Sequence, residues 1–353
     1  MTIRPAEADY ALVLERTEHL WEPLRGERIF VTGGTGFVGT WFLEALAAAN
    51  AALRLRTRAI VLTREPSRFR ARSPHLAADD AIELLRGNAA DFDAPAGTFA
   101  FVVHAATERS FVPDRERPLG MLAADRAATE RVLEFAATHG TKRMLFTSSG
   151  AVYGPSRPGA APFSETCGFA PDTLDERAAY GESKRLSEYA CGAYARAFGF
   201  EAIVARLFAF VGPLLPLDEG YAVGNFLADA IAGRDIRING DGTAVRSYLY
   251  AADLAIWLWT LLLRGRAGRA YNVGSPHAIT IGDLARLVAK TLAPHVSVRI
   301  EGNVSPGAAP SVYLPDTTRA QSDCGLEAWT PLDEALRRTF VTLAHAGRSA
   351  RIT

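Results

Sequence analysis

A glycine-rich turn between a strand and a helix constrains the fold of this chain most. The run RIFVT, residues 28–32, is typical of a buried strand, and TWFLEALAAANAA, residues 40–52, is typical of a helix with one apolar side. Between them lies GGTGFVG, residues 33–39, which fits both GxGxxG and GxxGxxG. A turn of this kind sets backbone N–H groups at a helix N-terminus, where they can bind a pyrophosphate. We therefore predict a dinucleotide-binding turn.

The chain up to residue 208 alternates apolar strands with helices. Strands are predicted at 59–62, 82–85, 99–104, 143–147 and 201–208, and helices at 122–139 and 180–198. This alternation is typical of βαβ units, which build a parallel sheet covered by helices on both faces. We predict an α/β fold: a Rossmann-type, doubly wound parallel sheet with a smaller C-terminal α/β substrate-binding lobe.

Three parts are expected along the chain. Residues 1–26 carry apolar side chains at helical spacing and are predicted to form an N-terminal accessory helix packed on the body. The dinucleotide-binding domain is expected to span 27–210 together with about 247–275. Beyond Gly212 the pattern loosens into short segments rich in Pro and Gly, so 211–246 and 276–353 are assigned to the substrate-binding lobe.

The composition argues against several kinds of partner. The 353 residues include 39 basic and 39 acidic side chains, so no excess field attracts nucleic acid or an acidic membrane. The most apolar window, Ala255–Leu263, is about half of the ~20 residues that a bilayer span needs. Three widely spaced cysteines favour reduced thiols, and the N-terminus lacks the apolar run of a signal peptide. We expect a cytoplasmic protein with no nucleic-acid or membrane partner, and no metal, since its histidines lack ligand spacing.

The end of the second predicted strand bears on the choice between NAD and NADP. An acidic residue there binds the ribose 2′-hydroxyl of NAD, whereas an arginine accepts the 2′-phosphate of NADP. This chain has Thr63 and Arg64 at that place, which favours NADP over NAD, while the adjacent Glu65 keeps NAD as the alternative. Three more arginines follow and fit either cofactor: Arg68, Arg70 and Arg72.

A tyrosine and a lysine four residues apart form the clearest catalytic pattern. In YGESK, Tyr180 and Lys184 lie on one face of a predicted helix. A fixed ammonium beside a phenol favours the phenolate, which makes a tyrosine usable as an acid and base near neutral pH. Ser149 follows the predicted strand 143–147, and strand ends of an open α/β sheet deliver side chains to the ligand crevice. We predict Ser149, Tyr180 and Lys184 as the catalytic residues.

Seven segments together carry a family resemblance: TGGTGFVG (32–39), HAA (104–106), SSGAVYG (148–154), YGESK (180–184), RLFAFVGP (206–213), RSYLYAADLA (246–255) and YNVGS (271–275). On these segments the chain, from about Arg28 to Thr339, resembles the extended short-chain dehydrogenase/reductase family of nucleotide-sugar epimerases and dehydratases. By this resemblance Ser149 and Tyr180 would flank the sugar hydroxyl or carbonyl that is oxidised or reduced. Lys184 would hold the nicotinamide ribose, and the substrate would be a nucleotide-diphosphate sugar.

The motifs and the resemblance give two sets of expected contacts. The cofactor-binding set is Gly33, Thr35, Gly36, Phe37, Val38, Thr63, Arg64, Asn88, Ala89, His104, Ala105, Ala106, Thr147, Tyr180, Lys184 and Leu207. The substrate-binding set is Thr107, Glu108, Ser149, Gly150, Ala151, Asn225 and Arg246. Asn225 and Arg246 would meet the diphosphate, and a guanidinium suits bidentate phosphate binding.

Departures from the family pattern narrow the expected reaction. The 4,6-dehydratases carry an acidic pair after the active-site hydroxyl residue and the decarboxylases keep a glutamate there, whereas this chain has Gly150 and Ala151. Asp125 also stands where the family has asparagine. Dehydration and decarboxylation are thus disfavoured alternatives. Hydride transfer at a sugar carbon, C4, remains, by a nucleotide-sugar C4 epimerase or a 4-keto-sugar reductase. A non-catalytic NADP-binding regulator is the alternative from another class, which the intact catalytic trio disfavours.

The resemblance also implies a homodimer. Relatives of this fold pair through the helices that correspond to 122–139 and 180–198. The outward stripes of these helices include Leu186, Tyr189 and Tyr194, which suit an isologous interface.

Overall fold

The computed structural model describes residues 3–107, 118–156, 162–217, 220–304, 307 and 309–349, with side chains described up to residue 344. The strands are β1 (Arg28–Thr32), β2 (Arg58–Thr63), β3 (Ile82–Arg86), β4 (Phe101–His104), β5 (Arg143–Ser149), β6 (Glu201–Leu207), β7 (Phe210–Val211), β8 (Ile236–Ile238), β9 (Val245–Arg246), β10 (Leu249–Tyr250), β11 (Ala270–Val273), β12 (Ile279–Thr280) and β13 (Val298–Ile300). The helices are α1 (Glu7–Thr17), α2 (Phe37–Leu53), α3 (Pro66–Arg72), α4 (Pro74–Ala77), α5 (Pro118–Thr138), α6 (Ala179–Phe198), α7 (Ala222–Ala232), α8 (Ala251–Arg264), α9 (Ile281–Leu292), α10 (Thr318–Cys324) and α11 (Leu332–Ser349).

A seven-stranded sheet forms the centre of the fold, in the order β3-β2-β1-β4-β5-β6-β11. Every neighbouring pair is parallel. The strand order reverses between β1 and β4, so the carboxyl ends of these two strands face a crevice that is the usual ligand position in open α/β sheets. The predicted fold class, a doubly wound parallel sheet of the Rossmann type, is confirmed.

The predicted strands agree with the observed ones except at their ends. The strand predicted at 143–147 continues to Ser149, because Ser148 and Ser149 pair with Arg206 and Leu207 of β6. Ser149 is therefore the last residue of a strand rather than part of the following loop. Its backbone is fixed by the sheet, which gives its side chain a defined position at the crevice.

The most apolar window, Ala255–Leu263, lies in α8, which is buried on almost all sides. The Trp259 ring stacks on Phe42 of α2 with 3.9 Å between ring centroids, and it lies 4.7 Å from the Trp21 ring. Its indole Nε1 donates to the Phe42 carbonyl at 3.0 Å. α8 therefore packs against α2 and the N-terminal segment. In the described part of the chain, no helix is both long and apolar enough to cross a membrane.

The N-terminal helix α1 is tied to the body by a buried carboxylate. Asp9 accepts hydrogen bonds from Tyr250 Oη at 3.0 Å and from Arg338 Nη1 at 2.9 Å. On the same helix, Tyr10 Oη donates to Glu44 of α2 at 2.8 Å. These bonds join α1 to α2, β10 and α11.

The segments after β6 build smaller pairs of strands beside α7, α9 and α11. β8 pairs with β13 in parallel, and β9 pairs with β12 in antiparallel. β9 carries Arg246 and precedes the buried Tyr248. These short strands bring residues that are distant in sequence to the open end of the central sheet.

Candidate active site

A cleft of about 1370 Å³ opens at the carboxyl ends of the central strands. One wall comes from the central sheet: the glycine turn, the segments after β2, β3 and β4, the ends of β5 and β6, and the first turns of α6. The other wall comes from the later segments and includes Leu215, Pro216, Tyr221, Arg246, Tyr248, Ile281 and Tyr313. A cleft of this size and length matches an extended ligand bound along the strand ends.

Most of the residues predicted from the sequence line this cleft. They are Gly33, Thr35, Gly36, Phe37, Val38, Thr63, Arg64, Asn88, Ala89, Ala105, Ala106, Thr107, Thr147, Ser149, Ala151, Tyr180, Lys184, Leu207 and Arg246. His104, Gly150 and Asn225 do not line it, and Glu108 lies outside the described residues.

The glycine turn is shaped by close backbone approaches. Gly33 has φ +71°, and a Cβ there would lie 2.3 Å from the Ala105 carbonyl carbon. A Cβ on Gly39 would lie 2.2 Å from the Gly33 carbonyl oxygen. A side chain at either position would collide with the backbone, so only glycine fits both. The turn can therefore pass close to the chain that follows β4. α2 begins directly after Gly36 and presents its N-terminus to the cleft, which fits a dinucleotide pyrophosphate.

The end of β2 meets the glycine turn through hydroxyl groups. Thr63 Oγ1 lies 3.4 Å from Thr35 Oγ1 and accepts from the Glu65 backbone N–H at 3.3 Å. The exposed Glu65 carboxylate pairs with Arg68 at 3.3 Å. Three arginines line this end of the cleft: Arg64, which precedes α3, and Arg68 and Arg72 on α3. Arg70 does not line it.

The catalytic pair predicted on α6 lies on one side of that helix and faces the cleft. Lys184 is 3% exposed, and its Nζ lies 5.8 Å from the Tyr180 ring centroid. The ammonium also donates to the Thr147 carbonyl at 3.4 Å. Ser149, at the end of β5, accepts from the Ala151 N–H at 3.1 Å through its Oγ. The structure thus brings the three predicted catalytic side chains to the wall of one cleft.

His104 lies beneath the cleft rather than in its wall. Its Nδ1 is 2.8 Å from Thr32 Oγ1, and its Nε2 is 3.2 Å from Thr129 Oγ1. Burial, and then the positive charge of Lys184, lowers the pKa of His104 to about 3, so the imidazole is neutral at physiological pH. His104 therefore holds β1, β4 and α5 together, while its neighbours Ala105 and Ala106 reach the cleft surface.

Two hydrogen bonds between side chains join α5 to α6 beside the predicted catalytic residues. Ser183 Oγ donates to Asp125 Oδ2 at 2.9 Å, and one turn further along, the hydroxyls of Thr129 and Ser187 are 3.0 Å apart. Thr107 Oγ1 also donates to both Asp125 oxygens at 3.3 Å. Asp125 thus holds both Thr107 and α6 with one carboxylate.

A buried ion pair between Glu188 and Arg206 holds the end of β5 against α6. Glu188 lies one helical turn beyond Lys184. It accepts from Arg206 Nε at 2.9 Å and from Arg206 Nη2 at 2.7 Å. It also accepts from Ser148 Oγ at 2.5 Å. Arg206 Nη1 donates to Tyr153 Oη at 2.9 Å. Because Ser148 precedes Ser149, this pair helps to position Ser149, the predicted catalytic serine.

Gly150 packs against the aromatic side chain of Tyr313, which is not among the predicted site residues. A Cβ on Gly150 would lie 2.5 Å from Tyr313 Oη and 2.9 Å from Phe208 Cε1. The rings of Phe208 and Tyr313 lie 4.6 Å apart and both line the cleft. The small residue at 150 thus makes room for Tyr313, which reaches the cleft from a distant part of the chain.

The two predicted diphosphate contacts have different positions. Arg246 lines the cleft, and its Nη1 donates to the Val245 and Ser311 carbonyls at 2.8 and 3.0 Å. Asn225 is exposed on α7 and is not in the cleft wall, because Gly224 and Phe226 on either side of it face the interior. The geometry therefore supports Arg246 and gives no support to Asn225.

Comparisons with known proteins agree with this geometry. The model of the NAD dependent epimerase/dehydratase family matches residues 29–274. UDP-glucuronic acid decarboxylase 1 from Arabidopsis thaliana is 29% identical over 316 residues, which cover 88% of this chain and 68% of that protein.

Two solved structures are similar in fold. An epimerase from Methanothermobacter thermautotrophicus superimposes with a TM-score of 0.77 and 21% identity, covering 98% of both chains. The dTDP-glucose 4,6-dehydratase from Streptomyces venezuelae, solved with NAD bound, has a TM-score of 0.76 and 23% identity over 90% of this chain and 97% of that one. These structures agree with the chain in fold, and the family match identifies this chain as a member of the NAD dependent epimerase/dehydratase family, within the extended short-chain dehydrogenases/reductases.

Proposed function

We propose that this enzyme transfers hydride at C4 of a nucleotide-activated hexose, as a 4-keto-sugar reductase or a C4 epimerase. One observation carries the proposal: Ser149, Tyr180 and Lys184 line the same cleft as the glycine turn, with no carboxylate at positions 150 and 151. A nicotinamide cofactor bound in this cleft would supply or accept the hydride. The protein must then position the sugar and move one proton.

The three catalytic side chains divide that work. Tyr180 Oη would donate a proton to the sugar oxygen during reduction of a ketone, or accept one during oxidation of an alcohol. Ser149 Oγ would hold the same oxygen by a hydrogen bond. The Lys184 ammonium, buried and held near the Tyr180 ring, would stabilise negative charge on the phenol oxygen.

The dehydratase and decarboxylase reactions of the family use a carboxylate directly after the active-site hydroxyl residue. This site has Gly150 and Ala151 at those positions. Among the described residues of the cleft wall, the carboxylates are Glu65 and Asp125. Glu65 pairs with Arg68 at the arginine-lined end, and Asp125 is occupied by the hydroxyls of Thr107 and Ser183. Dehydration and decarboxylation are therefore disfavoured, although a decarboxylase is among the relatives.

The arginines at the end of β2 favour the reductase of the two candidates. A reductase consumes NADPH and exchanges its cofactor at each turnover, whereas an epimerase recycles a bound cofactor. Arg64, Arg68 and Arg72 line the cleft where the cofactor's adenosine half is expected, which supports NADP. On the substrate side, Arg246 lines the cleft and would bind the diphosphate through guanidinium N–H groups other than the Nη1 that donates to the Val245 and Ser311 carbonyls.

The first test is to denature the purified protein and identify any released dinucleotide by mass spectrometry. NADP, or no bound cofactor, together with NADPH oxidation in the presence of UDP- or dTDP-4-keto-6-deoxyhexoses, would support the reductase. Stoichiometric NAD with interconversion of C4 epimers would support the epimerase. Release of CO₂ from UDP-glucuronate at a comparable rate would overturn the proposal. Tyr180→Phe should abolish either activity while the protein remains folded.

A further inference from the structure

Thr107 lines the cleft, and the proton of its hydroxyl group is already engaged. Thr107 Oγ1 donates to both oxygens of Asp125 at 3.3 Å, and Asp125 is only 4% exposed. A threonine hydroxyl has one proton and two lone pairs, whereas an ionised carboxylate only accepts hydrogen bonds. The lone pairs of Thr107 Oγ1 are therefore what this residue offers to a ligand in the cleft.

The Asp125 carboxylate is held beside the predicted catalytic residues of α6. Ser183 Oγ lies 2.9 Å from Asp125 Oδ2 and 3.0 Å from the Tyr180 carbonyl oxygen, so it can donate to either. Ser183 stands between Tyr180 and Lys184 in the sequence of α6. The direction in which Thr107 donates is thus set by a carboxylate that contacts the helix carrying the catalytic pair.

Thr107 and Ser149 belong to neighbouring strands of the central sheet or to the residues just beyond them. β4 and β5 pair in parallel as far as His104 and Phe146, and Thr107 and Ser149 each follow these two residues by three positions. Both line the cleft. Since neighbouring strands lie about 4.8 Å apart, the two hydroxyl groups can contact the same sugar ring.

The two hydroxyl groups offer a ligand opposite partners. Ser149 Oγ accepts from the Ala151 N–H at 3.1 Å, so its own proton can be donated to the sugar oxygen that reacts. Thr107 Oγ1 donates to Asp125, and among the described residues no donor occupies its lone pairs. A ligand hydroxyl would donate to Thr107, whereas a carbonyl or ether oxygen in its place would face those lone pairs without a hydrogen bond.

We infer that Thr107 is a specificity-determining residue that accepts a hydrogen bond from the sugar hydroxyl next to the reacting carbon. Asp125 is the positioning residue that fixes Thr107 as an acceptor. In a hexose that reacts at C4 this hydroxyl is the one at C3, because C5 carries the ring oxygen. The inference rests on the proposed function for placing the reacting carbon beside Ser149 and Tyr180. It adds a required feature of the substrate, a free hydroxyl at C3.

Steady-state kinetics with substrates that differ only at C3 test the inference. The substrates are UDP- and dTDP-4-keto-6-deoxyglucose with NADPH for a reductase, and UDP-glucose for an epimerase, each compared with its 3-deoxy analogue. Wild type is expected to prefer the 3-hydroxy compound in kcat/KM by about fivefold or more, the size of one hydrogen bond. Thr107→Val keeps the shape but loses the hydroxyl, so it should reduce this preference by about fivefold and leave the analogue nearly unaffected. Thr107→Ser should retain the preference.

Two variants of Asp125 test its positioning role. Asp125→Ala removes the acceptor of the Thr107 proton and should lower the preference for the 3-hydroxy compound toward that of Thr107→Val. Asp125→Asn keeps an oxygen acceptor and should restore part of the preference. If Asp125→Ala lowers kcat/KM for both compounds by the same factor, Asp125 only supports the fold and its positioning role is wrong.

Thr129→Val is the matched control. Thr129 is a buried threonine one helical turn beyond Asp125 on α5, and it does not line the cleft. Its variant should change kcat/KM for both compounds by the same factor. If Thr107→Val, shown to be folded by its melting curve, affects both compounds equally, or if Thr129→Val alters the preference as much, the inference is wrong while the proposed reaction stands. If wild type transfers hydride to none of these compounds, the proposed function fails and the inference fails with it.

Discussion

Replacing Glu188 with alanine is expected to destabilise the protein by about 3–5 kcal/mol, the usual cost of removing one partner of a buried ion pair. The Glu188 and Arg206 side chains are only 13% and 15% exposed. The carboxylate accepts two hydrogen bonds from Arg206 and one from Ser148. Without it, the Arg206 charge stays buried with Tyr153 Oη as its remaining close partner.

That cost can be converted into a melting temperature. An unfolding entropy of about 2.1 cal/mol/K per residue amounts to roughly 0.7 kcal/mol/K for the 353 residues. A loss of about 3–5 kcal/mol then lowers Tm by about 4–7 °C. Urea titration and differential scanning calorimetry of Glu188→Ala, Arg206→Met and the double variant measure both quantities. The double variant should cost less than the sum of the single ones, because it leaves no unpaired charge.

Glu130→Ala is the matched control, because Glu130 forms an exposed pair with Arg126 at 3.4 Å. Its cost should stay below about 1 kcal/mol. If Glu188→Ala costs no more than Glu130→Ala, or if the two single costs simply add, the pair does not stabilise the junction between β5 and α6 in the way described.

Three other predictions concern packing, pH and assembly. Gly150→Ala should cost about 1–3 kcal/mol by overpacking against Tyr313, and less in a Tyr313→Ala background; equal costs in the two melting series would contradict the contact. His104 has a pKa of about 3 in the folded protein and about 6.5 in the unfolded chain. Between these pH values only the unfolded chain binds the proton, so the free energy of unfolding should fall as the pH falls through that window. The slope is up to about 1.4 kcal/mol per pH unit, and urea titrations of His104→Asn should lack this share of it. Light scattering at micromolar concentration should give twice the 38.0 kDa mass of one chain, and Tyr189→Arg, at the 72% exposed Tyr189, should give a single chain; a wild-type mass of one chain would contradict the homodimer.

The features that could be predicted from the sequence are those fixed by short-range geometry. The order of strand, glycine turn and helix at 28–53 is local, and so is the spacing that puts Tyr180 and Lys184 on one helix face. The positions of cleft residues at strand ends follow from the parallel sheet, because all its strands deliver their carboxyl ends to one edge. Ser149 is predicted in this way, whereas Ala105 is expected only from the family resemblance.

The features that could not be predicted depend on long-range packing. His104 is the last residue of β4, and its side chain points into the interface with α5. The cleft is therefore lined by Ala105 and Ala106 and not by His104. Asn225 lies on a helix whose rotation is set by its apolar residues, which leaves it exposed. Tyr313 reaches the cleft only because the segment around 313 pairs with β9.

The most direct test of the proposed reaction is to follow deuterium from NADPH labelled at C4 of the nicotinamide into a nucleotide 4-keto-6-deoxyhexose. Deuterium at C4 of the sugar, found by NMR and lost in Tyr180→Phe, is the expected result. Consumption of a nucleotide sugar with loss of water or CO₂, and without deuterium transfer to the ring, would contradict hydride transfer at C4 as the function of this cleft.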